Sequence, residues 1–146
     1  MSSLLLLNGP NLNMLGLREP DIYGSDTLDD VVERARECAA GRNLQFEARQ
    51  SNHEGELVTW IQQARGVQDA IILNAGAYTH TSVAIHDALK AYDALVVELH
   101  ISNPLNREPF RHRSFVAPAA SIVIAGFGTA GYVAAVNAVA DALETA

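Results

Sequence analysis

Five short apolar runs, Leu4–Leu7, Leu44–Arg49, Ala70–Leu73, Leu95–Ile101 and Ser121–Ala125, alternate along this chain with longer segments of helical pattern. Each run is rich in Leu, Ile or Val, the mark of a strand buried on both faces of a parallel sheet. The segments Thr27–Ala40, Gly55–Arg65, Thr79–Tyr92 and Ala130–Leu143 carry apolar residues at helical spacing, as at Leu57, Ile61 and Ala64. Asp26 can cap the first of these helices and Asn52 the second, while Gly41 and Gly66 fall where helices end. A repeated strand–helix order implies right-handed crossovers with helices on both faces of the sheet.

Five such units predict an α/β fold of the flavodoxin-like kind, a five-stranded parallel sheet in the order 2-1-3-4-5. A length of 146 residues fits one domain, 1–146, with a single core and no linker or internal repeat. The net charge of −7 argues against a general binder of nucleic acid or anionic membrane, which needs a positive field. One cysteine, Cys38, rules out an internal disulfide framework and suits a reducing cytoplasm. No basic segment precedes the first apolar run, and no stretch is long enough to span a bilayer, so a soluble cytoplasmic protein is expected.

One connection is out of proportion. The stretch "NGPNLNMLGLREPDIYG", Asn8 to Gly24, separates the first strand from the first long helix. Strand-to-helix crossings usually take about 2–6 residues, and longer ones tend to be functional lids or disordered. In a sheet of this order, ligands bind beyond the carboxyl ends of the strands at the switch between strands 1 and 3. The long connection leaves strand 1 there. Strand 3 ends in "NAGAYTHTS", with Asn74, Gly76 and His80, and strand 4 ends in "ELHISNP". Period two places Glu98, His100 and Ser102 on one face of that strand. Polar groups therefore gather where the topology predicts a pocket.

Glu98 and His100 form the strongest chemical pair, because a doubly buried strand should not carry both without compensation. A carboxylate beside an imidazole holds its tautomer and favours its charged form, which suits a general acid. The ordinary alternative is a buried pair serving structure alone; the position at the switch point favours function. Tyr23 and Arg18 are a second pair; a surface-packed tyrosine and a solvated arginine are the ordinary alternative, which the length of the loop argues against. A free tyrosine ionises at about pH 10, and a nearby cation lowers that by roughly 1–3 units, enough to make the phenolate a usable base. Arg107 and Arg111, four apart in "NREPFRHRS", suggest an anionic substrate, with a solvated charge cluster as the alternative. His80 and Asp87 lie two turns apart on the third helix. With His80 facing the pocket, Asp87 falls out of its reach; it would serve a neighbouring subunit's site or, as the residues alone favour, be a solvated helix residue. Ser82, Ile85, Leu89 and Tyr92 form a different stripe that could face the sheet.

Other signals fail on context. "GFGTAG" matches a dinucleotide fingerprint, but no strand follows to complete the unit and the usual acidic residue is missing, so its glycines read as close helix–sheet packing. His53-Glu54 opens like a zinc-protease helix, but Leu57 stands where a second histidine is required. No metal, nucleotide or serine nucleophile is indicated. A flavin or signalling module would need a phosphoacceptor aspartate or a bound flavin, and strands 1 and 3 end in asparagine.

The stretches "LLLLNGPNLNMLGLREPDIYG", "SNHEGELVTWI", "NAGAYTHTSVAIHDAL", "VVELHISN", "REPFRHRS" and "GFGTAGY" together resemble type II 3-dehydroquinate dehydratase, over nearly the whole chain and in the right order. Ala75, Pro104, Arg113 and His86 depart from the usual pattern, none at a position of expected chemistry. The resemblance implies a hydro-lyase without cofactor or metal. It would convert 3-dehydroquinate to 3-dehydroshikimate by trans-dehydration through an enolate, in the shikimate pathway or in quinate catabolism. It also implies a homododecamer, a tetramer of trimers. By the same resemblance Tyr23 would remove the proton beside the ketone, with Arg18 and Arg107 favouring the phenolate. Asn11 would position a water against the enolate, and His100, oriented by Glu98, would protonate the departing hydroxyl. Asn74 and the amides of Ile101 and Ser102 would take the carboxylate, leaving His80, Arg111 and a neighbour's Asp87 for the ring hydroxyls. Part of the long connection, around residues 15–23, would then be a mobile lid.

Overall fold

The computed structural model of the chain describes residues 1–17 and 19–145, and describes Tyr23 by its backbone alone. Five strands, β1 (Ser3–Asn8), β2 (Gln45–Gln50), β3 (Ala70–Asn74), β4 (Leu95–His100) and β5 (Ile122–Ala125), form one sheet in the order β2-β1-β3-β4-β5. Every neighbouring pair is parallel, with Asn8 of β1 in register with Asn74 of β3. The predicted flavodoxin-like order is the observed one.

Alternation along β1 divides the core. Leu4 and Leu6 pack toward α2 (Leu28–Gly41) and α5 (Gly131–Glu144), whereas Leu5 and Leu7 pack toward α3 (Glu54–Ala64) and α4 (Val83–Tyr92). Burying each such leucine contributes about 1.5–3 kcal/mol relative to leaving it exposed. Double-sided burial holds for β1, β3 and β4 but not for β2 and β5. Those two lie at the sheet edges, where Gln45, Arg49 and Val123 face solvent.

Helix starts depart from expectation in three places. Thr27, not Asp26, caps α2: its hydroxyl accepts from the Asp30 amide while the Asp30 carboxylate accepts from the Thr27 amide. Asp26 instead takes a forked contact from Arg34, both bonds at 2.9 Å, and a bond from the Thr129 hydroxyl at 2.9 Å. His53, not Asn52, occupies the cap position of α3, without a side-chain bond, and Asn52 is used elsewhere. Ser82 caps α4 by accepting from the Ile85 amide at 2.9 Å, so Thr79 and His80 fall in the preceding 3-10 turn Gly76–His80. The expected stripe of Ser82, Ile85, Leu89 and Tyr92 is buried against the sheet.

The long connection after β1 is partly built. It holds a 3-10 turn, Leu12–Met14, and a four-residue helix α1, Pro20–Tyr23. Leu12 and Leu15 are buried in the core beneath α2 and α5, which fixes the first half of the segment. The ends of β1 and β3 press against each other at two glycines. A Cβ on Gly9 would lie 2.5 Å from the Ala75 carbonyl oxygen, and one on Gly76, at φ +58°, would lie 2.9 Å from that of Pro10. Only glycine allows this approach without displacing backbone.

Candidate active site

A cavity of about 280 Å³ opens at the carboxyl ends of β1, β3 and β4, the switch point of the sheet. Its lining includes Asn11, Asn74, His80, His100, Ile101, Ser102, Arg107 and Arg111. Eight of the residues singled out from the sequence thus meet in one place, with Glu98 directly behind His100. Asp87 does not line the cavity; it is exposed on α4. Arg18 and the Tyr23 side chain lie outside the described residues.

Glu98 and His100 are both buried, and His100 Nε2 lies 2.5 Å from Glu98 Oε2. An ionised carboxylate only accepts, so the proton on Nε2 is committed to Glu98 and Nδ1 is the ring nitrogen left for chemistry. Among the described residues Nδ1 has no hydrogen-bond partner. A second donor reaches the same carboxylate oxygen: Ser114 Oγ donates to Oε2 at 2.9 Å. Glu98 Oε1 is buried without a hydrogen-bond partner among the described residues.

His80 faces His100 across the cavity, the rings stacked at a centroid distance of 6.4 Å and an angle of 15°. Its Nδ1 donates to the Arg113 carbonyl at 2.8 Å, which leaves Nε2 as an acceptor in the neutral ring. Burial pushes the His80 imidazole below its ordinary pKa; the Arg113 carbonyl opposes this, and the charges of His100 and Arg111 add to it. His80 is therefore suited to accept a hydrogen bond from a ligand hydroxyl. Because it sits on the 3-10 turn rather than on α4, it does not share a helix stripe with Asp87 as the spacing suggested.

Asn74 is held on two sides. Its Oδ1 accepts from the Gly76 amide at 3.2 Å and its Nδ2 donates to the Tyr132 hydroxyl at 3.0 Å. The Tyr132 hydroxyl in turn donates to Asn8 Oδ1 at 2.7 Å. One Nδ2 proton of Asn74 remains for a ligand. Asn11 takes the left-handed conformation at φ 69°, and its amide donates to Asn52 Oδ1 at 3.0 Å. Neither Tyr132 nor Asn52 was singled out for this work from the sequence.

The basic residues do not share a helix: Arg107 follows the 3-10 turn Pro104–Asn106 in extended backbone, and Arg111 ends the next turn, Pro109–Arg111. Both still turn inward, the side chains of Arg107 and Arg111 being only 15% and 18% exposed. Arg107 Nη1 donates to Ser102 Oγ at 3.3 Å, and its Nη2 lies 3.9 Å from Glu19 Oε2, just before α1. Glu108 accepts from Arg111 Nε at 3.1 Å; its own amide and Arg111 hold its carboxyl below the usual range. The Ile101 and Ser102 carbonyls accept from the amides of Gly128 and Gly126 at 3.0 and 3.1 Å. In a trans peptide the Ser102 N–H then points away from Gly128. Of the "GFGTAG" glycines, Gly131 fits the packing reading, its Cβ position 3.1 Å from Leu99 Cδ1. Gly126 is instead required by its backbone, at φ +81°.

Residues 2–140 match the family model for class II dehydroquinase. The chain is 56% identical over 138 residues to 3-dehydroquinate dehydratase 1 of Corynebacterium efficiens, covering 94% of this chain and 91% of that one. It is 57% identical over 134 residues to a catabolic 3-dehydroquinase of Verticillium alfalfae, covering 92% of this chain and 89% of that one. The crystal structure of type II dehydroquinase from Propionibacterium acnes superposes with a TM-score of 0.93 at 41% identity, covering 97% of both chains.

Proposed function

Because this chain belongs to the class II dehydroquinase family, we propose that it is a hydro-lyase acting as a 3-dehydroquinate dehydratase. It removes water from 3-dehydroquinate to give 3-dehydroshikimate. The same chemistry serves biosynthesis and quinate breakdown, and similar proteins include one named as catabolic.

The observation that carries this reading is the Glu98–His100 pair at the cavity floor, with one ring nitrogen tied to the carboxylate and the other left for substrate. In the reaction the C2–H bond breaks first, its proton passing to the Tyr23 phenolate and its electron pair to an enolate. A ketone's α-proton is weakly acidic, so the enolate must be stabilised as it forms. Asn11 does so through a positioned water, and Arg18 and Arg107 favour the phenolate. The C1–O bond then breaks while His100 Nδ1 gives its proton to the leaving oxygen, which departs as water. Asn74 and the amides of Ile101 and Ser102 hold the carboxylate, and His80 and Arg111 hold ring hydroxyls. The one lysine, Lys90, is exposed on α4 and outside the cavity lining, so the enolate route draws on no Schiff base from it.

The chain acts as one catalytic domain, 1–146, in the cytoplasm, within a homododecamer built as a tetramer of trimers. Asp87, exposed on α4, completes a neighbouring subunit's site, and the part of the connection that follows the buried Leu15 closes over bound substrate. The contact of Glu19 with Arg107 supports that closure, since it brings the start of α1 to the cavity rim.

The deciding experiment follows the ultraviolet absorbance of the conjugated enone formed from 3-dehydroquinate, without added cofactor. Wild-type protein generates the signal, whereas Tyr23→Phe and His100→Ala nearly abolish it while remaining folded. Full turnover in both variants would remove the assigned base and acid.

A further inference from the structure

Between the turn Pro109–Arg111 and β5 the chain forms a short strap through Arg113, Ser114 and Phe115, and each residue grips a different part of the site. The Arg113 carbonyl accepts from His80 Nδ1 at 2.8 Å. Ser114 Oγ donates at 2.9 Å to Glu98 Oε2, the oxygen that also meets His100 Nε2 at 2.5 Å. The Phe115 amide donates to the Thr79 carbonyl at 2.8 Å, beside His80.

We propose that Ser114 is a positioning residue for the reaction, fixing the Glu98 carboxylate and through it the His100 ring that delivers the proton. This rests on the hydro-lyase reading. A hydroxyl has one proton and two acceptor sites. The Ser114 oxygen accepts from the Val116 amide at 3.1 Å and the Ala117 amide at 3.0 Å, so its single proton is committed to Glu98. Backbone amides, not another rotatable side chain, therefore set the direction of that bond. Without it, Oε2 keeps His100 as its one hydrogen-bond partner among the described residues, and the buried carboxylate is free to turn. The alternative is that Ser114 only holds the Val116 and Ala117 amides at the start of the 3-10 turn Ala117–Ala119. That role uses the acceptor sites and not the proton, so the two readings separate by experiment.

The test compares wild type, Ser114→Ala and Ser114→Thr by steady-state kinetics and by NMR of 15N-labelled histidine without substrate. Ser114→Ala should lower kcat about 10- to 100-fold, the range for losing a hydrogen bond to a charged group, with KM within about twofold. Ser114→Thr, which keeps the hydroxyl, should restore kcat. The His100 ring signals should shift in Ser114→Ala and return in Ser114→Thr. Unchanged kcat and unchanged His100 signals in Ser114→Ala would overturn the proposal, as would Ser114→Thr performing no better than Ser114→Ala. If Ser114→Ala fails to fold, Ser114→Cys, a weak donor of similar size, stands in with the same expected losses. Failure of the hydro-lyase reading looks different: wild type shows no turnover, while the NMR arm still decides whether Ser114 sets the His100 ring.

Discussion

The Tyr132 hydroxyl donates to Asn8 Oδ1 at 2.7 Å, across a sequence separation of 124 residues. It also accepts from Asn74 Nδ2, so one phenol on α5 ties the ends of β1 and β3 together behind the cavity. All three side chains are buried. Tyr132→Phe leaves two amides without this partner, at a cost of about 1–3 kcal/mol in urea unfolding. Asn74 then loses its orientation, so KM should rise more than kcat falls. A variant with unchanged stability and unchanged KM would show that the tie is idle.

Gly9 and Gly55 make a contrasting pair. A Cβ at Gly9 meets the Ala75 carbonyl oxygen at 2.5 Å, while one at Gly55, within α3, meets nothing within 4 Å. Gly9→Ala should cost about 1–3 kcal/mol through overpacking. Gly55→Ala should add about 0.4–1 kcal/mol by restricting the unfolded chain. Thermal melts of both variants decide the matter; equal shifts would contradict the close approach of the two loops.

Asn52 anchors Asn11 by accepting its amide at 3.0 Å, and the same oxygen accepts from Gln50 Nε2 at 3.1 Å. Asn52→Ala frees a left-handed residue from its tether and should reduce kcat about tenfold, the loss expected for one hydrogen bond that positions a group in the transition state. Asn52→Asp keeps the acceptor and should lose much less. Equal activity in both variants would exclude this anchoring.

Stability should fall at both ends of the pH scale, for different reasons. The forked bond from Arg34, with help from Thr129, holds the Asp26 pKa at about 2, down from 3.8. Its contribution is present above the unfolded value and is lost as pH falls through the folded one, and Asp26→Asn should flatten this acid limb. Burial raises the Tyr132 and Tyr92 phenols above 10.0. Their contribution is full below about pH 10 and is lost as pH climbs toward the folded values. Melting temperature measured across pH reads both limbs, and Tyr92→Phe should soften the alkaline one.

How far the chain could be read depended on whether a feature was local. Leu4–Leu7 announced a doubly buried strand because apolar side chains fall on both faces within one run. Glu98 and His100 declared themselves through period two on another. The cap of α2 is ambiguous in the sequence because Asp26 and Thr27 are adjacent and both able acceptors. The choice turned on which oxygen reaches the Asp30 amide, although Thr27 and Asp30 do spell a capping box. Ser114 and Tyr132 stayed silent for another reason. Their partners lie 16 and 58 residues away in sequence, and no spacing rule connects them.

Arg113 and Ser114 are consecutive, yet one leads to His80 and the other, through Glu98, to His100. Both rings are thus braced from neighbouring links of one backbone, although each is carried by a different element. A displacement of that stretch carries both out of register at once. A change that shifts the backbone there should thus impair acid delivery and hydroxyl recognition together, whereas removing the Ser114 hydroxyl alone reaches only the acid.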